Sequence, residues 1–188
     1  MVYAMKSVEP IRDEMWRESF IEYFENTSDR NLVLFLIGIY TGFRISDITK
    51  LRVKDVQGKM HLDIVEGKTK KPRKVFIHRN LKRPLERLIK NKNKYDYLFE
   101  SRQKTRTGKN KAIERSTVDK FLKKAAKEIG YTEPIATHSM RKTFGHMYYT
   151  KHKDLADLQD LFNHSSPKIT LRYIGMQQAK FDENVANL

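Results

Sequence analysis

The sequence contains no cysteine. That absence excludes a disulfide-stapled scaffold, thiolate metal sites and a cysteine nucleophile together. The first fifteen residues, MVYAMKSVEPIRDEM, lack the apolar core of a secretory signal, and no apolar run reaches membrane-spanning length. Internal repeats, low-complexity tracts and a linker dividing two domains are missing as well. Acidic charge is scarce: 23 Asp+Glu stand against 38 Lys+Arg, a formal charge of +15 over 188 residues. On a length that suits one domain, such an excess points to a polyanionic partner. Lysines and arginines that neutralise phosphates release counterions and so bind nucleic acid whatever its sequence. A basic but merely soluble surface and a membrane-surface protein are the alternative readings. The expected location is the cytoplasm, with no membrane association. Ten Phe and nine Tyr, with repeated Leu/Ile clusters, supply enough apolar surface for a sizeable core.

Periodicity predicts a mainly α protein with a small antiparallel β-sheet (α+β). Residues 11–25 carry Ile11, Met15, Phe20, Ile21 and Phe24 at helical spacing. Ser28 reads as the N-cap of a helix through Tyr40 that Gly42 ends. Apolar on nearly every side from Leu32 to Ile39, it is the expected buried centre. A short helix follows over 44–51. The period then changes, and 52–56, 59–65 and 73–77 read as about three short strands. Further helices are expected over 81–91 with Asn80 as cap, 116–129 closed by Gly130, from Thr137 onward, over 154–162 and 167–173, and in the tail. There Phe181, Val185 and Leu188 fall at helical spacing. The basic stretch 101–112, SRQKTRTGKNKA, has no acid and reads as an exposed loop.

Three short segments carry chemistry. In His138-Ser139-Met140-Arg141 a three-residue step puts His138 and Arg141 on one helix face. The planar guanidinium of an arginine there suits phosphate oxygens. A solvated surface pair is the bland reading. In Thr41-Gly42-Phe43-Arg44-Ile45-Ser46-Asp47 the arginine restarts the chain at a helix N-terminus, where anions are favoured; taken alone, the segment reads rather as a structural pair of Arg44 with Asp47, three residues on. In Leu161-Phe162-Asn163-His164-Ser165-Ser166, Tyr173 follows nine residues after His164. A phenol of ordinary pKa about 10 needs surrounding cations to act as a nucleophile; alone, Tyr173 reads as a half-buried helix tyrosine. The six histidines are scattered, and neither HExxH nor paired-carboxylate metal spacing occurs.

Taken in order, TGFRISD, a basic β-turn, HSMR, an HSS segment and a tyrosine resemble the tyrosine recombinase (phage-type integrase) family. The resemblance runs from about Val8 to the C-terminus. It implies the catalytic-domain fold of that DNA breaking-rejoining class, with 1–188 as a single catalytic domain and no room for the upstream helical domain that closes around DNA. It implies Arg44, Lys68, His138, Arg141, His164 and Tyr173 as catalytic residues, with Asp47 supporting the active-site histidine. Lys70 and Lys71 share the turn with Lys68, which is preferred for its place before Thr69. Asn163 stands where the family has glycine, which a left-handed conformation accommodates.

The chemistry so implied is site-specific recombination of a phage or mobile element. Arg44, Arg141 and His164 stabilise charge on one scissile phosphate, and Tyr173 forms a 3′-phosphotyrosyl bond. Lys68 protonates the leaving 5′-oxygen, and His138 is the general base. No cofactor and no metal are expected. The partners implied are double-stranded DNA and further copies of the chain, as a tetramer on paired sites. The candidate DNA contacts are Lys70, Lys71, Arg73 and Lys74 in the turn and Arg102, Lys104, Arg106, Lys109 and Lys111 in the basic loop. A DNA-binding or accessory protein without activity, and a type IB topoisomerase, are the alternatives.

Overall fold

The computed structural model describes residues 8–176 and Val185. Helix α1 (Glu14–Thr27) starts at Asp13, whose side chain accepts from the Met15 amide. Ser28 caps α2 (Asp29–Thr41) in the same way, and Gly42 closes it in the left-handed conformation at φ 60°. Helix α2 is the centre of the molecule, buried from Leu32 to Ile39. It packs against α1, α4 (Arg79–Ile89) and α6 (Thr137–His152). Phe20, Phe24 and Phe35 meet between α1 and α2 with ring centroids 5.4–6.3 Å apart. Helix α5 (Arg115–Ile129), closed by Gly130, completes this core through Val118, Leu122 and Ala125.

A short α3 (Ile45–Ile48) leads into the sheet, which has two strands rather than three. Strands β1 (His61–Val65) and β2 (Pro72–Phe76) run antiparallel, with Asp63 opposite Lys74 and Val65 opposite Pro72. The expected strand over 52–56 is instead a 3₁₀ turn, Val53–Asp55. The Asp55 carboxylate accepts from the Arg52 amide, and the Val53 and Lys54 amides donate to carbonyls of Asp96 and Lys94. A local side-chain acceptor thus competes successfully with the ladder. Helix α4 likewise begins at His78, whose Nδ1 accepts from the Asn80 amide, so the cap lies two residues before the expected Asn80.

Helices α7 (Leu155–Phe162) and α8 (Pro167–Tyr173) form a second, smaller apolar cluster from Leu158, Phe162 and Ile174. It leans on α6 at Gly145, where an added Cβ would sit 2.6 Å from Ile174 and 2.7 Å from the Phe162 ring. Of the expected tail stripe, Phe181 and Leu188 lie outside the described residues, and Val185 is exposed. Among the described residues no helix is long and apolar enough to cross a membrane. Gly145→Ala forces overpacking where α6 meets α7 and α8, and is expected to destabilise the protein by about 1–3 kcal/mol. Urea unfolding measures this as a lower midpoint at unchanged slope.

Candidate active site

The turn after α2 builds the first half of the site. Gly42 has no room for a side chain, since a Cβ would run into the Phe144 ring of α6. Its left-handed bend redirects the chain so that Arg44, the N-cap of α3, faces the β1–β2 turn. There Arg44 Nη1 donates to Glu66 Oε2 at 2.6 Å. Arg73, on β2, gives Nη1 to Glu66 Oε1 at 3.1 Å and Nη2 to the Thr41 carbonyl at 2.9 Å, and it stacks on the Phe43 ring. Arg141, on α6, donates to the Gly42 carbonyl and lies over the Phe162 ring, with Nη1 3.8 Å from Glu66 Oε1. Thr69 Oγ1 donates to Glu66 Oε2 at 2.7 Å. Three guanidinium groups therefore share one carboxylate whose side chain is 3% exposed.

Burial by itself would raise the Glu66 pKa, but hydrogen bonds from Thr69, Arg44 and Arg73 outweigh it and hold the carboxyl below its ordinary value. Burial, with Arg44 and Arg73 close by, brings the Arg141 guanidinium down to about 10, so it stays positive at neutral pH.

The second half of the site comes from α7 and α8. Asn163 ends α7 at φ 54°, the left-handed conformation expected for the residue standing in for glycine. Its Oδ1 accepts from Lys71 Nζ at 2.7 Å, tying the β1–β2 turn to the segment that carries His164. His164 Nδ1 lies 3.1 Å from Thr170 Oγ1. The His164 and Phe162 rings flank the Tyr173 ring at centroid distances of 5.1 and 5.2 Å, and Lys142 Nζ lies 5.4 Å from it. Burial raises the Tyr173 pKa, opposed by the charge of Arg141, a hydrogen bond from it, and the charge of Arg44. The phenol is therefore protonated at neutral pH in the DNA-free protein.

His138 starts α6 one turn before Arg141 and stays at the surface. Partial desolvation, then Arg115, Arg141 and Lys142, hold it below its ordinary value against the opposing pull of Asp119. Burial, then Arg141 and Arg44, do the same to His164. Lys68 is exposed at the tip of the β1–β2 turn, with no ion-pair partner among the described residues.

Asp47 Oδ1 accepts from the Gly67 amide at 3.0 Å and so props the lysine-bearing turn. Lys70, at φ 59°, and Lys74 are exposed. Arg102, Lys104, Arg106 and Lys109 are exposed on their loop, while Lys111 is paired with Glu114 at 2.8 Å. Arg73, grouped with the DNA contacts on sequence, turns inward onto Glu66. Glu66 itself was missed; its signal is the single acid opening the basic run EGKTKKPRK. Among the described residues no three His, Asp or Glu side chains gather where they could hold a metal ion.

The model describing the phage integrase family matches residues 14–180. A probable integrase/recombinase YoeC of Bacillus subtilis (strain 168) is 44% identical over 174 residues, covering 93% of this chain and 93% of that protein. A tyrosine recombinase of Pseudothermotoga lettingae is 31% identical over 163 residues, covering 85% of this chain and 54% of its own length. In fold the chain resembles the crystal structure of XerA recombinase, at TM-score 0.73 and 18% identity, over 96% of this chain and 65% of that one. It also resembles XerH bound to palindromic difH in a post-cleavage complex, at TM-score 0.69 and 21% identity, over 99% and 55% of the two chains.

The depressed histidine pKa values carry a sign. A folded value below the unfolded 6.5 means the unfolded chain binds the proton first, so the associated stability is present above 6.5 and lost as pH falls through the folded value. His164→Gln is expected to flatten the fall in Tm below pH 6.5. In the DNA-free protein the His164 imidazole should titrate below 6.5 by NMR; a midpoint above 6.5 would contradict the cationic surroundings described.

Proposed function

The chain belongs to the phage integrase (tyrosine recombinase) family, and from that premise we propose that it recombines double-stranded DNA at specific sites through a covalent 3′-phosphotyrosyl intermediate. The observation that carries this reading is the meeting of Arg44 and Arg141 at one anion, with Tyr173 packed on the Phe162 ring that Arg141 covers.

In the proposed reaction a scissile phosphodiester lies against Arg44, Arg141 and His164, which stabilise charge as phosphorus becomes pentavalent. The Tyr173 oxygen attacks in line, and the bond to the 5′-oxygen breaks. His138, held neutral at pH 7 in the free protein, takes the phenolic proton. Lys68 gives a proton to the departing oxygen, so a 5′-hydroxyl is released and the 3′-phosphate stays on Tyr173. Because the phosphodiester energy is kept in the new bond, an incoming 5′-hydroxyl reverses the steps and reseals the strand. The exposed cations of the 101–112 loop and of the β1–β2 turn are the proposed phosphate contacts. The proposed working form is a homo-tetramer on paired sites, acting on DNA in the cytoplasm.

Tyr173→Phe should abolish denaturation-resistant adducts on a nicked suicide duplex while leaving duplex binding nearly unchanged. Adducts that persist in this variant would overturn the assignment. Arg44→Ala or Arg141→Ala should slow adduct formation by about 10²–10³-fold. Lys68→Ala should slow it too, and a 5′-bridging phosphorothiolate, whose sulfur leaves without a proton, should rescue that variant alone. Rescue of Lys70→Ala instead would move the acid to Lys70. Binding should weaken steeply with salt, and replacing an exposed loop cation such as Lys104 should reduce that slope by about one if the side chain neutralises a phosphate.

A further inference from the structure

Resting on the recombinase reading, we propose that Glu66 is a positioning residue of this centre: its buried carboxylate holds Arg44 and Arg141 in the arrangement in which both meet one scissile phosphate. A carboxylate among arginines that bind phosphate has two conceivable roles. It either occupies the phosphate position and must leave, or lies beneath the arginines and stays.

The contacts favour the second role. Both Glu66 oxygens are committed to inner partners, Oε2 to Thr69 and Oε1 to Arg73, and the side chain is 3% exposed. The backbone beside it is pinned on both sides of the turn, with the Glu66 amide on the Lys71 carbonyl, the Lys70 amide on the Glu66 carbonyl and the Gly67 amide on Asp47. Arg73 spends its other edge on the Thr41 carbonyl and its face on Phe43, so it serves the carboxylate from behind.

Arg44 is the more open partner, at 17% exposure, and gives Glu66 a single N–H. A guanidinium carries five donors, so its outer edge remains for a phosphate. Three guanidinium charges less one carboxylate leave +2 in the cluster. That matches a phosphodiester whose single negative charge approaches two as the tyrosine oxygen adds. Glu66 also opens the turn that carries Lys68, and the Thr69–Glu66 bond closes that turn around Gly67 and Lys68. One carboxylate thus sets the arginines and the lysine-bearing turn in a common frame.

The test separates binding from chemistry in the full chain. Duplex affinity is measured by gel shift, and single-turnover adduct formation on a nicked suicide duplex is measured at saturating protein. Glu66→Gln is expected to bind duplex within about 2-fold of wild type, since phosphate contacts elsewhere dominate affinity. Adduct formation should fall by about 10²-fold, the effect of a misplacement of about 1 Å, and Glu66→Asp should recover part of it. If Glu66→Gln leaves Arg73 unpaired and does not fold, the double variant Glu66→Gln/Arg73→Gln removes both charges. That variant should fold, bind and remain slow.

Wild-type or faster adduct formation in Glu66→Gln, or in the double variant, would overturn the inference; faster formation would make Glu66 a blocking group. Equal losses of binding and adduct formation in a folded variant would also overturn it, leaving only a structural role. Wild-type protein that forms no Tyr173 adduct would overturn the proposed function, and this inference with it. Normal wild-type adducts beside an unimpaired Glu66→Gln would overturn the inference alone.

Discussion

Glu66 and the arginines around it bring together parts of the chain that are far apart in sequence. Arg44 follows the central helix, Arg73 lies on the second strand and Arg141 on the sixth helix, and each is within 4 Å of the same carboxylate. Burying charges in this way carries a desolvation penalty of several kcal/mol per ion, offset only when the groups are paired and hydrogen-bonded. Here Thr69, the Thr41 carbonyl and the Gly42 carbonyl supply those bonds. The faces of Phe43 and Phe162 supply cation–π contact. Removing the carboxylate alone would leave three cations facing one another in a poorly solvated space.

The rest of the architecture can be understood as the means of bringing these groups to one place. The central helix α2 is apolar all round because it is enclosed by other helices, and its rigid C-terminus is the reference point for Arg44. Helix α6 carries His138 and Arg141 on one end and packs through Gly145 on the small cluster under α7 and α8. That smaller cluster, not the main core, sets the position of His164 and Tyr173. Among the described residues its buried members are Leu158, Phe162 and Ile174, fewer than those of the arginine-bearing core.

Electrostatics follow from the same crowding. In a chain of net charge +15 the site gathers further positive charge, and its neighbours respond. His138 and His164 are held neutral, and Tyr173 keeps its proton. A phosphate bringing negative charge reverses part of that bias. In the proposed reaction an anion therefore arrives before the proton transfers that cleavage requires.

Much of this was legible in one dimension. The family follows from an ordered series of short motifs, and the helices from caps and periodicity. Gly42 and Asn163 in the left-handed region follow from local conformational preference, because local backbone energetics act within a few residues. The third strand and the cap at Asn80 failed for the same local reason: Asp55 and His78 offered side-chain acceptors that tipped nearly balanced alternatives. Tertiary structure alone decided the fates of Glu66, Arg73 and Asp47. From sequence Glu66 carries no reading, while Arg73 reads as a DNA contact and Asp47 as a histidine support. Their partners lie 22, 32 and 20 residues away, and only folding brings those groups close enough for Coulomb attraction and hydrogen bonding to turn each side chain inward.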